Sequence, residues 1–405
     1  MSTQKTKLND TLVLPNGSTL INRIGKSAMS ESLADHYHNP TRELIYLYEK
    51  FAQGQTGLLI TGNVMVDYKS LERARNIVFG EYSNHEKLKE WAQSSQQDGV
   101  QTWVQISHPG RQVAKHINNK PVAPSDIAAV QKLKAFANAR ALTTEEIANI
   151  KHKFIEAALT ARNAGFQGVQ FHAAHGYLLG QFLSPANNLR TDEWGGSIEN
   201  RARLLIEIIR ATREKVGPTF SIGIKINSSD FRRGGFTEEH SLETMILLDK
   251  ESLDLIEISG GTYESSAMLE GNPKAGEKAF FVSFAERARQ ATKIPLMITG
   301  GFRHREQMEK TLESGNIDVI GLGRPVACDP FVSKKLLNGE LQELKAPKIK
   351  VSKGLRGLGE AAWYTQQLYR HSKGQEAKEN IAILPCLFKH FTSDFIRAKT
   401  RKVKK

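Results

Sequence analysis

Cysteine is nearly missing from this chain: Cys328 and Cys386 are the only two among 405 residues. Isolated thiols without C-x-x-C spacing exclude a disulfide framework, a zinc ribbon and an iron–sulfur ligand set. They read as the reduced thiols of a cytoplasmic protein. No run of eighteen apolar residues occurs, so no membrane-spanning helix and no membrane partner are expected. Met1 to Asp10 is polar and lacks the apolar core of a secretory signal. A Walker A loop is absent, and so is a Gly-x-Gly-x-x-Gly turn after a strand. The cluster from Gly354 to Gly359 is spaced differently, and no strand precedes it.

Acids are outnumbered, 43 against 56 basic residues, for a net charge of +13. Arg397, Lys399, Arg401, Lys402, Lys404 and Lys405 supply six of those charges at the end of the chain, with no acid among them. A run of like charges reads as a solvated, disordered tail. No recognised nucleic-acid module accompanies the charge, so no nucleic-acid partner is expected. The positive field would help an anionic cofactor reach its site.

Eight short apolar, β-branched runs are present: 22–29, 57–66, 101–107, 168–172, 221–227, 254–259, 295–299 and 318–322. Amphipathic segments separate them near 41–53, 84–98, 143–164, 198–215, 238–250, 281–291 and 303–314, and another follows near 330–337. Thr143 with Glu146 forms a capping box ahead of the third of these helices. Gly165 and Gly217 stand where helix stops belong. Eightfold alternation predicts an α/β fold, a (β/α)8 TIM barrel over 1–340. A doubly wound open sheet would normally bring the missing glycine fingerprint. The connection 108–142 is long enough to carry small elements of its own. Residues 341–405 are expected to form a helical extension packed on the barrel.

Barrel enzymes keep their chemistry at the carboxyl ends of the strands and in the loops that follow. Those positions hold Ala28-Met29-Ser30 on strand 1, Asn63 after strand 2, and Gln105 with His108 on strand 3. Strand 4 ends in His172-Ala173-Ala174-His175-Gly176-Tyr177. Strand 5 carries Lys225 and Asn227, with Asp230 beyond. Strands 6 and 7 end in Gly260-Gly261 and Gly300-Gly301, and strand 8 in Gly323-Arg324. The last two sets fit a phosphate: glycines let backbone N–H groups approach, and Arg adds a bidentate contact. Two imidazoles and a phenol at one strand end can hold an oxygen while the phenol delivers a proton. Metal binding, the competing use of His-x-x-His, would need further ligands from neighbouring loops.

These residues resemble the old yellow enzymes, the FMN-dependent NADH:flavin oxidoreductase/NADH oxidase family. The resemblance runs from about Leu12 to about Leu337. It is strongest from Phe171 to Ile209, with Phe182-Leu183-Ser184-Pro185, Asn188, Arg190, Asp192, Gly195-Gly196-Ser197 and Asn200-Arg201. Asn22-Arg23, the stretch from Gln105 to Arg111, and Ala123-Pro124-Ser125 also match. The resemblance implies tightly bound, non-covalent FMN at the top of the barrel. Its phosphate would lie on Gly300, Gly301, Gly323 and Arg324. Ala28, Met29 and Ser30 would lie along the ring, Asn63 would lie near it, and Gln105 would meet its pyrimidine edge. Lys225 would face the negative charge of the reduced ring. His172 and His175 would bind a substrate carbonyl and Tyr177 would donate a proton. NAD(P)H, a transient reductant, would reduce the flavin. Hydride from N5 would then reduce a small-molecule activated alkene. A homo-oligomer is compatible with the family. Ser30 stands where the family often has Thr or Cys, Lys225 where it often has Arg, and the loop 31–41 matches poorly.

Other readings stand beside this one. His36-Tyr37-His38 raises a metal-dependent barrel hydrolase, although it lies well past the strand end. A non-catalytic FMN-binding protein would not need an acid such as Tyr177. Arg190, Asp192 and Arg201 read as a structural charge network. Trp103, Trp363 and Tyr364 read as packing residues.

Overall fold

The computed structural model describes residues 6–128, 135–262, 281–345, 347, 349 and 356–402. Eight parallel strands close on themselves: β1 (Ile24–Lys26), β2 (Leu58–Ile60), β3 (Gln101–Ser107), β4 (Gly168–Ala173), β5 (Ser221–Asn227), β6 (Leu255–Ser259), β7 (Leu296–Thr299) and β8 (Val319–Leu322). Each pairs with the next. β8 returns to β1 through Ile320 opposite Ile24, which completes the ring. All eight expected strands are present, and the fold is a (β/α)8 barrel.

Among the described residues, seven helices form the outer layer: α1 (Arg42–Gln53), α2 (His85–Ser94), α3 (Thr144–Ala164), α4 (Ile198–Val216), α5 (Glu238–Leu248), α6 (Val282–Ala291) and α7 (Arg305–Glu313). Their ends follow local chemistry. The Thr143 hydroxyl accepts from Glu146 N while the Glu146 carboxylate accepts from Thr143 N at 3.0 Å. Ser197 caps α4. After β8 come the short helices α8 (Arg324–Cys328) and α9 (Val332–Leu337). Inside the loop 108–142, Val122–Ala123 pairs with Arg140–Ala141, a small element of the kind its length suggested.

The barrel floor is a packed plug. A hairpin of Leu12–Val13 and Thr19–Leu20 brings Leu12, Leu14 and Leu20 against Leu58, Ile60, Trp103, Leu255, Met297 and Val319. Trp103 is fully buried, as expected, and its indole N–H donates to Gln101 Oε1 at 3.0 Å. A Cβ on Gly168 or Gly223 would come within 3.0 Å of that indole, and one on Gly25 would meet Met297 at 2.8 Å. Glycine therefore stands in three strands because large side chains fill the interior. Asn16, in the hairpin turn, donates from its backbone to Asp254 Oδ1 and from its side chain to Ser221 Oγ.

The extension forms two helices, α10 (Arg356–His371) and α11 (Ile383–Thr400). Trp363 is buried, as its reading as a packing residue required. The expectation of a solvated basic tail does not hold through Lys402. Arg397 and Arg401 lie half-buried and donate to the carbonyls of Ala34 and Ile117, and Lys402 N donates to His36 O. Asp394 accepts from Ala74 N and pairs with His116 at 2.7 Å. Like charges do not keep this segment apart from the protein, because each guanidinium finds a loop carbonyl to donate to.

Candidate active site

The carboxyl ends of the strands gather most of the expected residues around one floor. β4 and β5 run in register with Lys225 opposite His172, and β6 sets Glu257 opposite Lys225. Strand alternation points these side chains inward together. The result is a buried network. Gln105 Nε2 donates to Gln170 Oε1 at 2.7 Å, and Gln170 Nε2 donates to Glu257 Oε2 at 2.8 Å. Glu257 Oε1 accepts from Lys225 Nζ and from Thr299 Oγ1, each at 2.8 Å. Ser27 Oγ meets Thr299 Oγ1 at 2.6 Å.

Gln170, Glu257 and Thr299 were not singled out from the sequence. A charged residue inside the apolar run of β6 was the available signal. Burial alone would raise the Glu257 carboxyl; the Lys225 charge and the donors from Thr299 and Gln170 outweigh it and hold the group below its ordinary range. A buried pair of this kind is tolerated when further hydrogen bonds support it, and the Glu257 carboxylate has them from Gln170 and Thr299.

His172, His175 and Tyr177 come together as expected. The His172 ring lies 5.2 Å from His175 and 4.7 Å from Tyr177, in edge-to-face packing with both. His172 Nδ1 accepts from Ala174 N at 3.2 Å, which places the ring proton on Nε2. His175 Nε2 bonds Ser259 Oγ at 2.8 Å. Burial, then the nearby His175 and Lys225 charges, hold His172 well below the ordinary imidazole range; burial and Lys225 do the same for His175. Burial thus favours the uncharged form of both rings, and the Ala174 N–H on Nδ1 leaves His172 with its proton on Nε2.

His175 has a left-handed backbone, φ 56°, and Gly176 continues it at φ 76°. A non-glycine residue there carries strain, and such strain persists only where the surroundings impose it. Here Asn227 Oδ1 accepts from His175 N at 3.1 Å and Gln112 Nε2 donates to His175 O at 3.0 Å.

Asn63 Nδ2 reaches the Tyr177 hydroxyl at 3.4 Å, while its Oδ1 is buried with no partner among the described residues. A second cluster, missed from the sequence, sets the Gly62–Asn63 turn. Gly62 N donates to Glu31 Oε1 at 3.1 Å, and Tyr48 Oη donates to the same oxygen at 2.5 Å. Lys26 Nζ is 3.9 Å from it and donates to Ile60 O. Burial, opposed by Glu31, pulls the Lys26 ammonium down to about 8.

Other positions have partners within the protein. The Ser30 hydroxyl donates to Glu72 Oε2 at 3.1 Å. Ala28 and Met29 are half-buried at the rim. Gly300 and Gly301 have φ of 129° and 83°, a backbone that side chains rarely adopt. Arg324 follows Gly323 and sits 3.2 Å from Glu360 Oε2, with its guanidinium 5.6 Å from the Tyr364 ring centre. The extension thus reaches the end of β8. Arg190 pairs with Asp192 and donates to the carbonyls of Pro124 and Leu142, a structural role. Arg201 serves the carbonyls of Gly196 and Leu183, apart from that pair. His36 and His38 bond the carbonyls of Thr400 and Asn76. Among the described residues no three His, Cys, Asp or Glu side chains converge as a metal site, which leaves the hydrolase reading without a ligand set.

The site suits FMN on its own chemistry. It offers an orphaned buried amide oxygen, glycines with positive φ beside an Arg, and a cation held on the floor. Barrel and floor define the class: an old yellow enzyme-type flavin oxidoreductase. The chain belongs to the NADH:flavin oxidoreductase / NADH oxidase family, whose description matches residues 13–343. Its cofactor is FMN and its reductant NAD(P)H. The NADH-dependent flavin oxidoreductase iliE of Hypocrea jecorina (strain QM6a) is 36% identical over 377 residues, 85% of this chain and 93% of that one. A 2-naphthoyl-CoA reductase complex aligns with a TM-score of 0.76 at 27% identity, covering 82% of this chain and 52% of the other. Morphinone reductase shares the fold, with a TM-score of 0.73 at 24% identity, covering 86% and 93%.

Proposed function

We propose that this chain reduces the C=C bond of α,β-unsaturated carbonyl compounds or related activated alkenes. The observation that carries the proposal is the pair of buried imidazoles beside a phenol at the end of β4, with no hydrogen-bond partner for His172 Nε2 among the described residues. Gln105 and Lys225 would hold the pyrimidine edge of FMN. Ala28, Met29 and Ser30 would flank the ring with Asn63 nearby, and Gly300, Gly301, Gly323 and Arg324 would take the phosphate. When bound, FMN supplies a hydride that NADH or NADPH replenishes.

The chain's own work is to bind, polarise and protonate. His172 and His175 donate hydrogen bonds to the substrate carbonyl oxygen, which leaves the β-carbon electron-poor toward hydride and stabilises the charge that develops on the oxygen and the α-carbon. Tyr177 carries a phenolic O–H at the same strand end and delivers its proton to the α-carbon. The imidazoles would serve an anionic phenol equally well. Titrating the flavoprotein with a simple phenol is expected to produce a long-wavelength absorption band, and an enone panel with NADH and NADPH is expected to show turnover. A protein that binds FMN yet gives neither band nor turnover would overturn the reading.

Glu257 sets the electrostatics of that floor. Its carboxylate offsets the Lys225 charge that would stabilise the reduced ring. Glu257→Gln is therefore expected to raise the flavin midpoint potential. Removing a unit charge from the floor at an effective dielectric near 20 is worth on the order of 2 kcal/mol. For a two-electron couple that is about 40 mV. Spectroelectrochemical titration of both proteins checks it, and an unchanged or lowered potential would refute the assignment.

A further inference from the structure

The largest unexplained feature lies on α11. Leu384, Phe388, Phe391 and Phe395 are 70, 72, 45 and 47% exposed, and Ile396 beside them is 61% exposed. Contiguous apolar surface of this kind on a folded chain marks a binding face. The four residues are spaced by four, three and four positions. That is the narrow seam of two helices packed along each other, not the broader stripe of a helix lying on a core. The neighbouring face of α11 is already engaged: Cys386, Leu387 and Asp394 are buried, Asp394 is fixed by His116 and Ala74 N, and the His116 ring also lies 5.9 Å from that of Phe395 at the edge of the seam. The helix is held by its own chain along that face and leaves the apolar seam beside it exposed.

We propose that this seam binds a second copy of the same chain, with the two α11 helices antiparallel about a two-fold axis. The seam is symmetric about its midpoint. Reversing one helix sets Leu384 against Phe395 of the other copy and Phe388 against Phe391, so one pattern complements itself, as a two-fold interface requires. Charge selects the same arrangement. Arg397, Lys399, Arg401 and Lys402 all lie at the carboxyl end. A parallel pair would bring them together. An antiparallel pair separates them by roughly the 27 Å length of an eighteen-residue helix, well beyond a screening length of about 8 Å.

An anionic lipid surface is the competing occupant, but the cations are poorly placed for it. Arg397 and Arg401 turn inward to loop carbonyls, and Lys389, Lys399 and Lys402 lie over the rings of Tyr369, Phe395 and Tyr37. Five side chains offer less than the roughly 800 Å² per partner of a standard interface, so the dimer is expected to be weak and concentration-dependent.

Sedimentation velocity on the full-length flavoprotein from about 1 to 200 μM tests this, with FMN absorbance confirming that each variant is folded. The wild type is expected to shift from monomer to dimer. Phe388→Asp is expected to stay monomeric with unchanged turnover. Leu384→Lys and Phe395→Glu should each abolish the dimer, and the double variant should restore it, since residues 384 and 395 face each other only in the antiparallel pair. A wild type that is monomeric throughout, or a Phe388→Asp variant that still dimerises, would overturn the proposal. So would a monomer that binds phosphatidylserine vesicles through the same residues, which would assign the face to lipid.

Discussion

Replacing Tyr177 with phenylalanine is expected to slow alkene reduction by about 10²–10⁴-fold, the ordinary worth of a positioned general acid. Reduction of the flavin by NAD(P)H should be nearly untouched. The substitution keeps the buried ring and its packing on His172 and removes only the hydroxyl. Stopped-flow spectroscopy separates the two half-reactions by following bleaching and then recovery of the flavin. Equal losses in both would mean that Tyr177 holds structure, and no loss in the second would mean that the proton comes from solvent.

His172→Ala should act on a different quantity. It removes a preorganised neutral donor, and deleting one such donor typically costs about 10²–10³ in rate. Phenol affinity and the long-wavelength band should fall with it, because both depend on a hydrogen bond to oxygen. His172→Asn restores an N–H donor and is expected to recover part of both. The exchange also deprives Ala174 N of its acceptor, so thermal stability should be measured in parallel. A variant that binds phenol as the wild type does would place the oxygen elsewhere.

Local chemistry decides what is legible in the sequence. The eight strands were visible because β-branched runs alternate with capped amphipathic helices, and each such signal lies within a few residues. The cluster His172–Tyr177 was visible for the same reason: its members are neighbours in the chain. The Gln105–Gln170–Glu257–Lys225 network was not, because it joins β3, β4, β5 and β6 through strand register. Periodicity predicts that Glu257 points inward but not that a lysine on the adjacent strand meets it. The carboxyl-terminal segment failed for a related reason. Its composition is that of a solvated tail, while its fate depends on carbonyls of Ala34 and Ile117 that lie more than 280 residues away in sequence.

The hairpin that plugs the barrel floor ties the first residues of the chain to much later ones. Asn16 bonds Asp254 across 238 residues and Ser221 across 205. At ribosomal speeds of about 5–20 residues per second, the plug waits roughly 10–50 seconds for its partners to be made. Throughout that interval Leu12, Leu14 and Leu20 have no barrel to enter. Synthesis thus leaves this apolar segment exposed until its late partners are made, and ring closure ends the exposure.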